Sequence, residues 1–393
     1  MTYPTNWNLS RYFYTGLDDP KFLADIATIL PMTNAFADKY KETFGKFTKP
    51  TEMLEFYTDY TKLSYDMAKP SYYLFYRSSL DTQDLEVTKK MGEVDYIYTE
   101  ASNLLLFISQ GWKEIGYDRI MEWSKDPLMA PYKNDLISTA DGIKYILGEK
   151  EEYVLNLKSR PLGLAGSLHD ELTGSYEFTM NIMGEIKTLT EEEVRTYRQH
   201  TDRSIRREAY SSLRRVYNTK QNQIALGNIY TSIVKDWSTD IQMRGYPKNV
   251  MAQRNLSEQM DDEVVDMLLG EVEHAYPIYA RYLKAKAKML GLETDFSIWD
   301  AGAPIGHSEK DFTFEEAYNL HLSVMKDFDS DFYDYSVRMI EEERIDAFPK
   351  KGKRGGAFAS YRKGDESFVL LNFTGKLRDV STISHELGHA IHG

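Results

Sequence analysis

Apolar residues recur at three- and four-residue steps through most of this chain, a rhythm that predicts a mainly α-helical protein. Between Gln83 and Gln110 the residues Leu85, Met91, Val94, Tyr98, Ala101, Leu105 and Ile108 share one face, which predicts a single long helix. Similar stripes run through Phe22–Phe44, Thr51–Met67, Arg207–Trp237 and Asp262–Leu290. Thr190 with Glu193, and Thr313 with Glu316, have the spacing of capping boxes and are expected to open two of the later helices.

Two stretches depart from that rhythm. Tyr176, Phe178, Met180 and Ile182 alternate with polar neighbours before Gly184, and a second extended run follows, so a β-hairpin is expected over 176–189. Between Gly355 and Phe373, Ala357–Tyr361 and Ser367–Phe373 read as two strands joined by Arg362–Glu366. Leu377–Gly393 returns to a helical pattern that is still running at the last residue. Helices seldom finish a chain with their carbonyls unsatisfied, so the chain reads as truncated there. Glycines cluster at Gly163–Gly174, which suggests an N-terminal helical lobe, 1–170, and the start of a second domain, 171–393.

Composition narrows the function classes. The net charge of −13, from 61 acidic and 48 basic residues, disfavours a phosphate-backbone partner. The absence of cysteine removes thiolate ligands, thiol nucleophiles and disulfides, and fits a reducing cytoplasm. Met1–Leu30 lacks the basic and apolar regions of a secretory leader. The apolar run Leu104–Ile108 is far short of the roughly 20 residues needed to span a bilayer. Most of the 29 tyrosines and 18 phenylalanines are expected in the core and at its boundary.

The chemistry concentrates in Ser384-His385-Glu386-Leu387-Gly388-His389-Ala390-Ile391-His392-Gly393. His385 and His389 are four apart on an expected helix over 379–393, so both imidazoles leave one face a turn apart and can share a Zn²⁺ at about 2.0–2.1 Å. Glu386, offset by one residue, can face a metal-bound water without ligating the ion. That is the layout of a metallopeptidase helix. His392 repeats the spacing, but two turns place it roughly 10 Å from His385 along the axis, so it is read as structural. His169, His200, His274, His307 and His321 show no metal spacing among themselves and are read as ordinary histidines. A strand beside the metal could pair with an extended peptide; Ala357–Tyr361 or Ser367–Phe373 could be that edge, with Ala357, Phe358 and Ala359 as the candidate contacts, and an ordinary two-stranded element fits the same residues. Lys351–Gly356 is basic and glycine-rich without P-loop spacing, and reads as a mobile loop over a cleft or a solvated turn.

These residues carry a resemblance. Lys353-Arg354-Gly355-Gly356-Ala357-Phe358-Ala359-Ser360, then Leu370 through Val380, then His385-Glu386-Leu387-Gly388-His389 resemble the catalytic core of the oligoendopeptidase F family of zinc metallopeptidases. Leu290-Gly291-Leu292 leading to Trp299-Asp300 and Ala303-Pro304, and the opening Trp7-Asn8-Leu9-Ser10 with Asp18-Asp19-Pro20, are also similar to that family, covering its N-terminal two thirds. The resemblance implies a large multi-helical peptidase fold whose lobes enclose a channel admitting short unstructured peptides. It implies zinc on His385 and His389, Glu386 as the base that activates water, and a third ligand from a downstream helix. Lacking that helix, the chain is expected to be an inactive fragment of a metalloendopeptidase. The competing reading is a non-catalytic peptide-binding or scaffold protein with an incomplete metal site. No nucleic-acid or membrane partner is expected, and oligomeric state is not legible.

Overall fold

Helices dominate because their starts are well specified. The computed structural model describes residues 3–247, 251–306, 310–362 and 366–393. Asp19 caps Pro20–Tyr40 by accepting from the Lys21 amide at 2.8 Å, and Pro20 opens the helix where its missing N–H costs nothing. Pro50–Leu80 begins in the same way, with Glu52 accepting from the Thr48 and Lys49 amides. Both helices bury aromatic faces against Leu85–Leu104 and Leu106–Ile115. Phe36, Phe44, Phe56, Trp112 and Trp123 form the centre of that core.

Three expected stripes need correction. The reading of 83–110 as one helix fails at Leu105, whose backbone leaves the helical region and separates Leu85–Leu104 from Leu106–Ile115. Leu85, expected on the buried face, is 78% exposed because it sits at the first position behind the Asp84 cap, beyond the reach of the core. Arg207–Trp237 is likewise two helices, Arg203–Tyr217 and Lys220–Arg244, with Thr219 capping the second. The stripe of 262–290 does form one helix, Asp262–Met289, but few of its apolar residues are buried. Gly163, Gly166 and Gly174 lie within one continuous helix, Glu149–Ser175.

The expected hairpin forms from β1 (Phe178–Ile182) and β2 (Glu185–Leu189), antiparallel and joined by Met183 and Gly184. Both turn residues have positive φ, 53° and 93°, as a two-residue primed turn requires. Phe178 and Met180 point into a small core with Val194, Ile205 and Ala209.

The second sheet has three strands, one more than the sequence pattern suggests: β3 (Ile345–Asp346), β4 (Phe358–Ser360) and β5 (Phe368–Leu370). Two-residue β3 is too short to show an alternation, yet it pairs parallel to β5, which lies in the middle with antiparallel β4 on its other side. Trp7 anchors the N-terminal segment to this sheet, its indole N–H donating to the Arg344 and Val369 carbonyls at 3.0 and 2.9 Å. Of the connection Arg362–Glu366, residues 363–365 lie outside the described residues.

The last helix, Leu377–His392, starts where Asp379 accepts from the Thr374 and Lys376 amides. Val380, Ile383, Leu387 and Ala390 bury one side against the sheet and the helix Phe314–Phe328, whose Thr313–Glu316 capping box is present as expected. No helix among the described residues is long and apolar enough to cross a membrane.

Candidate active site

The amphipathic face of Leu377–His392 decides where its polar residues go. Burying Val380, Ile383, Leu387 and Ala390 turns His385 and His389 outward on the opposite side. Their Nε2 atoms approach to 3.1 Å, with ring planes at 88° and centroids 4.7 Å apart. Two ligands at about 2.0–2.1 Å in a tetrahedral shell stand about 3.3 Å apart, so the pair is spaced for one zinc ion. Among the described residues no third histidine, aspartate or glutamate joins them. His392 is exposed and stays apart from the pair.

Glu386 points between these two sides. It is 7% exposed, yet it makes no hydrogen bond or ion pair among the described residues. It borders a cleft of about 1050 Å³ together with His385. A buried carboxylate left without an internal partner is costly, and Glu386 borders the cleft, from which a partner can reach it.

The other walls come from distant parts of the chain. Glu191, Arg195 and Arg198 contribute from the helix Glu191–Thr196 and the turn after it, Tyr217 from the next helix, and His169 from Glu149–Ser175. Arg195 pairs with Glu191 at 2.5 Å, and the Tyr217 hydroxyl donates to the same carboxylate. Burial and that carboxylate raise the Tyr217 pKa, which keeps the phenol protonated. Sequence reasoning missed all of these, because nothing local ties residues near 169–217 to a motif at 385. His169, taken as ordinary, is on the cleft wall.

Of the three candidate peptide contacts, Ala357 lines the cleft, whereas Phe358 and Ala359 do not. The Phe358 ring instead packs on Trp7 and Phe75. β5 is paired on both sides, so the edges of this sheet are β3 and β4, and of the two β4 directly follows Ala357 on the cleft wall. The loop Lys351–Gly356 is not free. The Lys353 ammonium is buried and donates to the Phe348 and Leu371 carbonyls at 2.7 and 2.6 Å, beside the Asp346 carboxylate at 2.5 Å. Gly352 accepts from the Thr82 amide, and Arg354 donates its amide to Ser79. Burial lowers the Lys353 pKa, and Asp346 offsets part of that shift.

His321, expected to be an ordinary histidine, is buried and hydrogen-bonds to the helix Leu377–His392. Its Nδ1 lies 2.9 Å from Ser384 Oγ and its Nε2 3.0 Å from Ser336 Oγ. Ser336 donates its own proton to the Phe332 carbonyl, so Nε2–H donates to Ser336 and Nδ1 accepts from Ser384. Burial lowers the His321 pKa to about 4 and keeps the ring neutral. His307 lies outside the described residues.

Residues 196–393, half of the chain, match the profile of peptidase family M3. The chain belongs to peptidase family M3. This M3 chain is 26% identical to an oligoendopeptidase F homolog of Borreliella burgdorferi, over 98% of its own length and 64% of that protein. It is 29% identical to the group B oligopeptidase PepB of Streptococcus agalactiae, over 63% and 41% respectively. Among solved structures it is similar to PZ peptidase A with an inhibitor (TM-score 0.74, 18% identity, 92% of this chain and 62% of that one). It is also similar to oligoendopeptidase F from Enterococcus faecium (TM-score 0.59, 16% identity, 81% and 59%). The chain thus spans less than two thirds of each of these proteins, and it shares their mainly helical fold with small sheets.

Proposed function

We propose that this protein is a zinc-dependent endopeptidase of short, unstructured peptides. The carrying observation is the free Glu386 carboxylate on the cleft wall, one residue from a histidine pair whose Nε2 atoms converge to 3.1 Å. His385 and His389 would hold the ion through neutral imidazoles. Zinc there would polarise the scissile carbonyl and lower the pKa of a coordinated water from 15.7 towards about 7. Glu386 takes the proton of the water that attacks the carbonyl carbon, and delivers it to the departing amine as the C–N bond breaks. The partly buried position of Glu386 keeps bulk water from competing for that proton. The β4 edge, beginning after Ala357, aligns the peptide by main-chain hydrogen bonds. A cysteine-free chain fits a reducing cytoplasm as the place of action.

Two protein donors bind zinc more weakly than three. Among the described residues no third donor joins the pair, so the pair by itself is expected to hold zinc loosely. The test is Glu386→Gln, with zinc measured by elemental analysis and hydrolysis followed on a quenched peptide. Turnover should fall about 10²–10⁴-fold at unchanged zinc content. Full turnover in that variant would remove Glu386 from the chemistry. Peptide binding without hydrolysis or zinc in the wild type would favour a peptide-binding or scaffold role, the reading suggested by the two-donor site.

A further inference from the structure

The cleft walls are strongly charged, and most of that charge is neutralised internally. Arg195 is paired with Glu191, Arg354 with Asp170, and Lys376 with Asp311. Arg198 and Arg378 line the same cleft, are exposed, and have no acidic partner among the described residues. Arg378 gives the fold little in return. It lies in the first turn of Leu377–His392, where the helix dipole opposes a cation, and Asp379 already satisfies the amides at that end. Seven residues separate Arg378 from His385, so the two share a helix face about 10 Å apart along the axis.

We propose that Arg378, assisted by Arg198, is a specificity determinant that binds a carboxylate of the peptide about three residues from the scissile bond. An extended peptide advances about 3.3 Å per residue, so three residues cover the spacing from the histidine pair to the Arg378 turn. A guanidinium matches a carboxylate with two parallel hydrogen bonds, and an exposed arginine not held by an internal acid is available to make them. The carboxylate could be the peptide's C-terminus or an acidic side chain; the chemistry is the same. A C-terminal preference would confine the enzyme to short peptides by requiring a chain end within reach. This inference rests on the cleft being the peptide site.

Three fluorescein-labelled heptapeptides separate the possibilities by fluorescence polarisation on the full chain in EDTA, where turnover is blocked. One has a free C-terminus, one is its neutral amide, and one is the amide with a glutamate three residues beyond the central bond. The wild type should bind one anionic probe about tenfold more tightly than the neutral amide, and which one it prefers identifies the source of the carboxylate. Arg378→Ala should reduce that preference to about twofold or less while leaving the affinity for the amide unchanged. Arg378→Lys should retain an intermediate preference, and Arg198→Ala should lose part of it without touching the terminal helix. Equal binding of all three probes to the wild type, or a preference that survives both alanine variants, overturns the assignment. Failure of the wild type to bind any probe overturns the peptide-site reading itself.

Discussion

The aromatic body built from Pro20–Tyr40, Pro50–Leu80 and Leu106–Ile115 and the sheet-and-helix region around Leu377–His392 are assembled on opposite terms. The first buries rings against rings: Phe44 stands 4.2 Å from Phe56 and 5.1 Å from Trp112, with the Gly111 backbone pressed against its face. Thr33, its hydroxyl bonded to the Ile29 carbonyl, is one of few polar groups there. The second buries His321, Ser336, Arg344, Asp346, Lys353 and Ser367 in and around the strands and the helices packed on them. Burying such groups costs more than burying methylenes and contributes less net stability. What it supplies is position, because each fixes a neighbouring backbone segment by directed bonds. The region that carries the histidine pair, Glu386 and the β4 edge uses polar groups where the aromatic body uses packing.

The comparison breaks most visibly if the aromatic body is damaged. Phe44→Ala removes a fully buried ring from tightly packed neighbours and should cost about 3–5 kcal/mol by urea denaturation. Under conditions where the variant remains folded, its affinity for peptide should be unchanged, since Phe44 does not line the cleft. Lys353→Met tests the other side. It keeps the apolar stem but leaves the buried Asp346 carboxylate without its cation, for an expected loss of about 3 kcal/mol. Adding Asp346→Asn should recover much of that loss. Here the loss should extend to peptide binding, because Lys353 pins the loop that brings Arg354, Gly355 and Gly356 to the cleft. Equal effects of the two variants on binding would erase the distinction between the regions.

How much was legible follows the same division. The terminal helix, the hairpin and most long helices are written as local patterns: spacing of apolar residues, an alternation ending in Met183-Gly184, caps at Thr190 and Thr313. The histidine pair is legible because helix geometry converts its spacing directly into a shared face, from which the one-residue offset turns Glu386 away. What was not legible depends on partners distant in sequence. β3 exists because Ile345 and Asp346 lie beside Val369 and Leu370, and no two-residue segment announces that. The break at Leu105 leaves no mark in the apolar pattern, since the stripe itself continues past it. The exposure of Val264, Met267, Leu268 and Tyr276 shows that an apolar face gives a preference for burial but does not guarantee it. Arg198 and His169 join the cleft through tertiary contacts alone.

His321 offers the gentlest way to sharpen the comparison, because pH can perturb it without a substitution. Its ring is held neutral between Ser336 and Ser384, with its pKa lowered from the usual 6.5 to about 4 by burial. Above pH 6.5 the ring is neutral in both folded and unfolded chains and costs nothing. As pH falls below 6.5 the unfolded chain takes up a proton that the folded chain refuses, so stability declines until about pH 4, where the folded ring also becomes charged. A shift of that size corresponds to at most about 3 kcal/mol across the window. Thermal unfolding should therefore show a steeper drop in Tm between pH 6.5 and 4 for the wild type than for His321→Gln, whose amide does not titrate. His321→Gln should also loosen Ser384, the residue before His385, and so weaken zinc binding at pH 7.5, where the protonation effect is absent. Parallel Tm curves for the two proteins would mean that His321 does not resist protonation. Unchanged zinc affinity in the variant would mean that the buried pair of hydrogen bonds does not position the terminal helix, leaving its packing face of Val380, Ile383, Leu387 and Ala390 to do so alone.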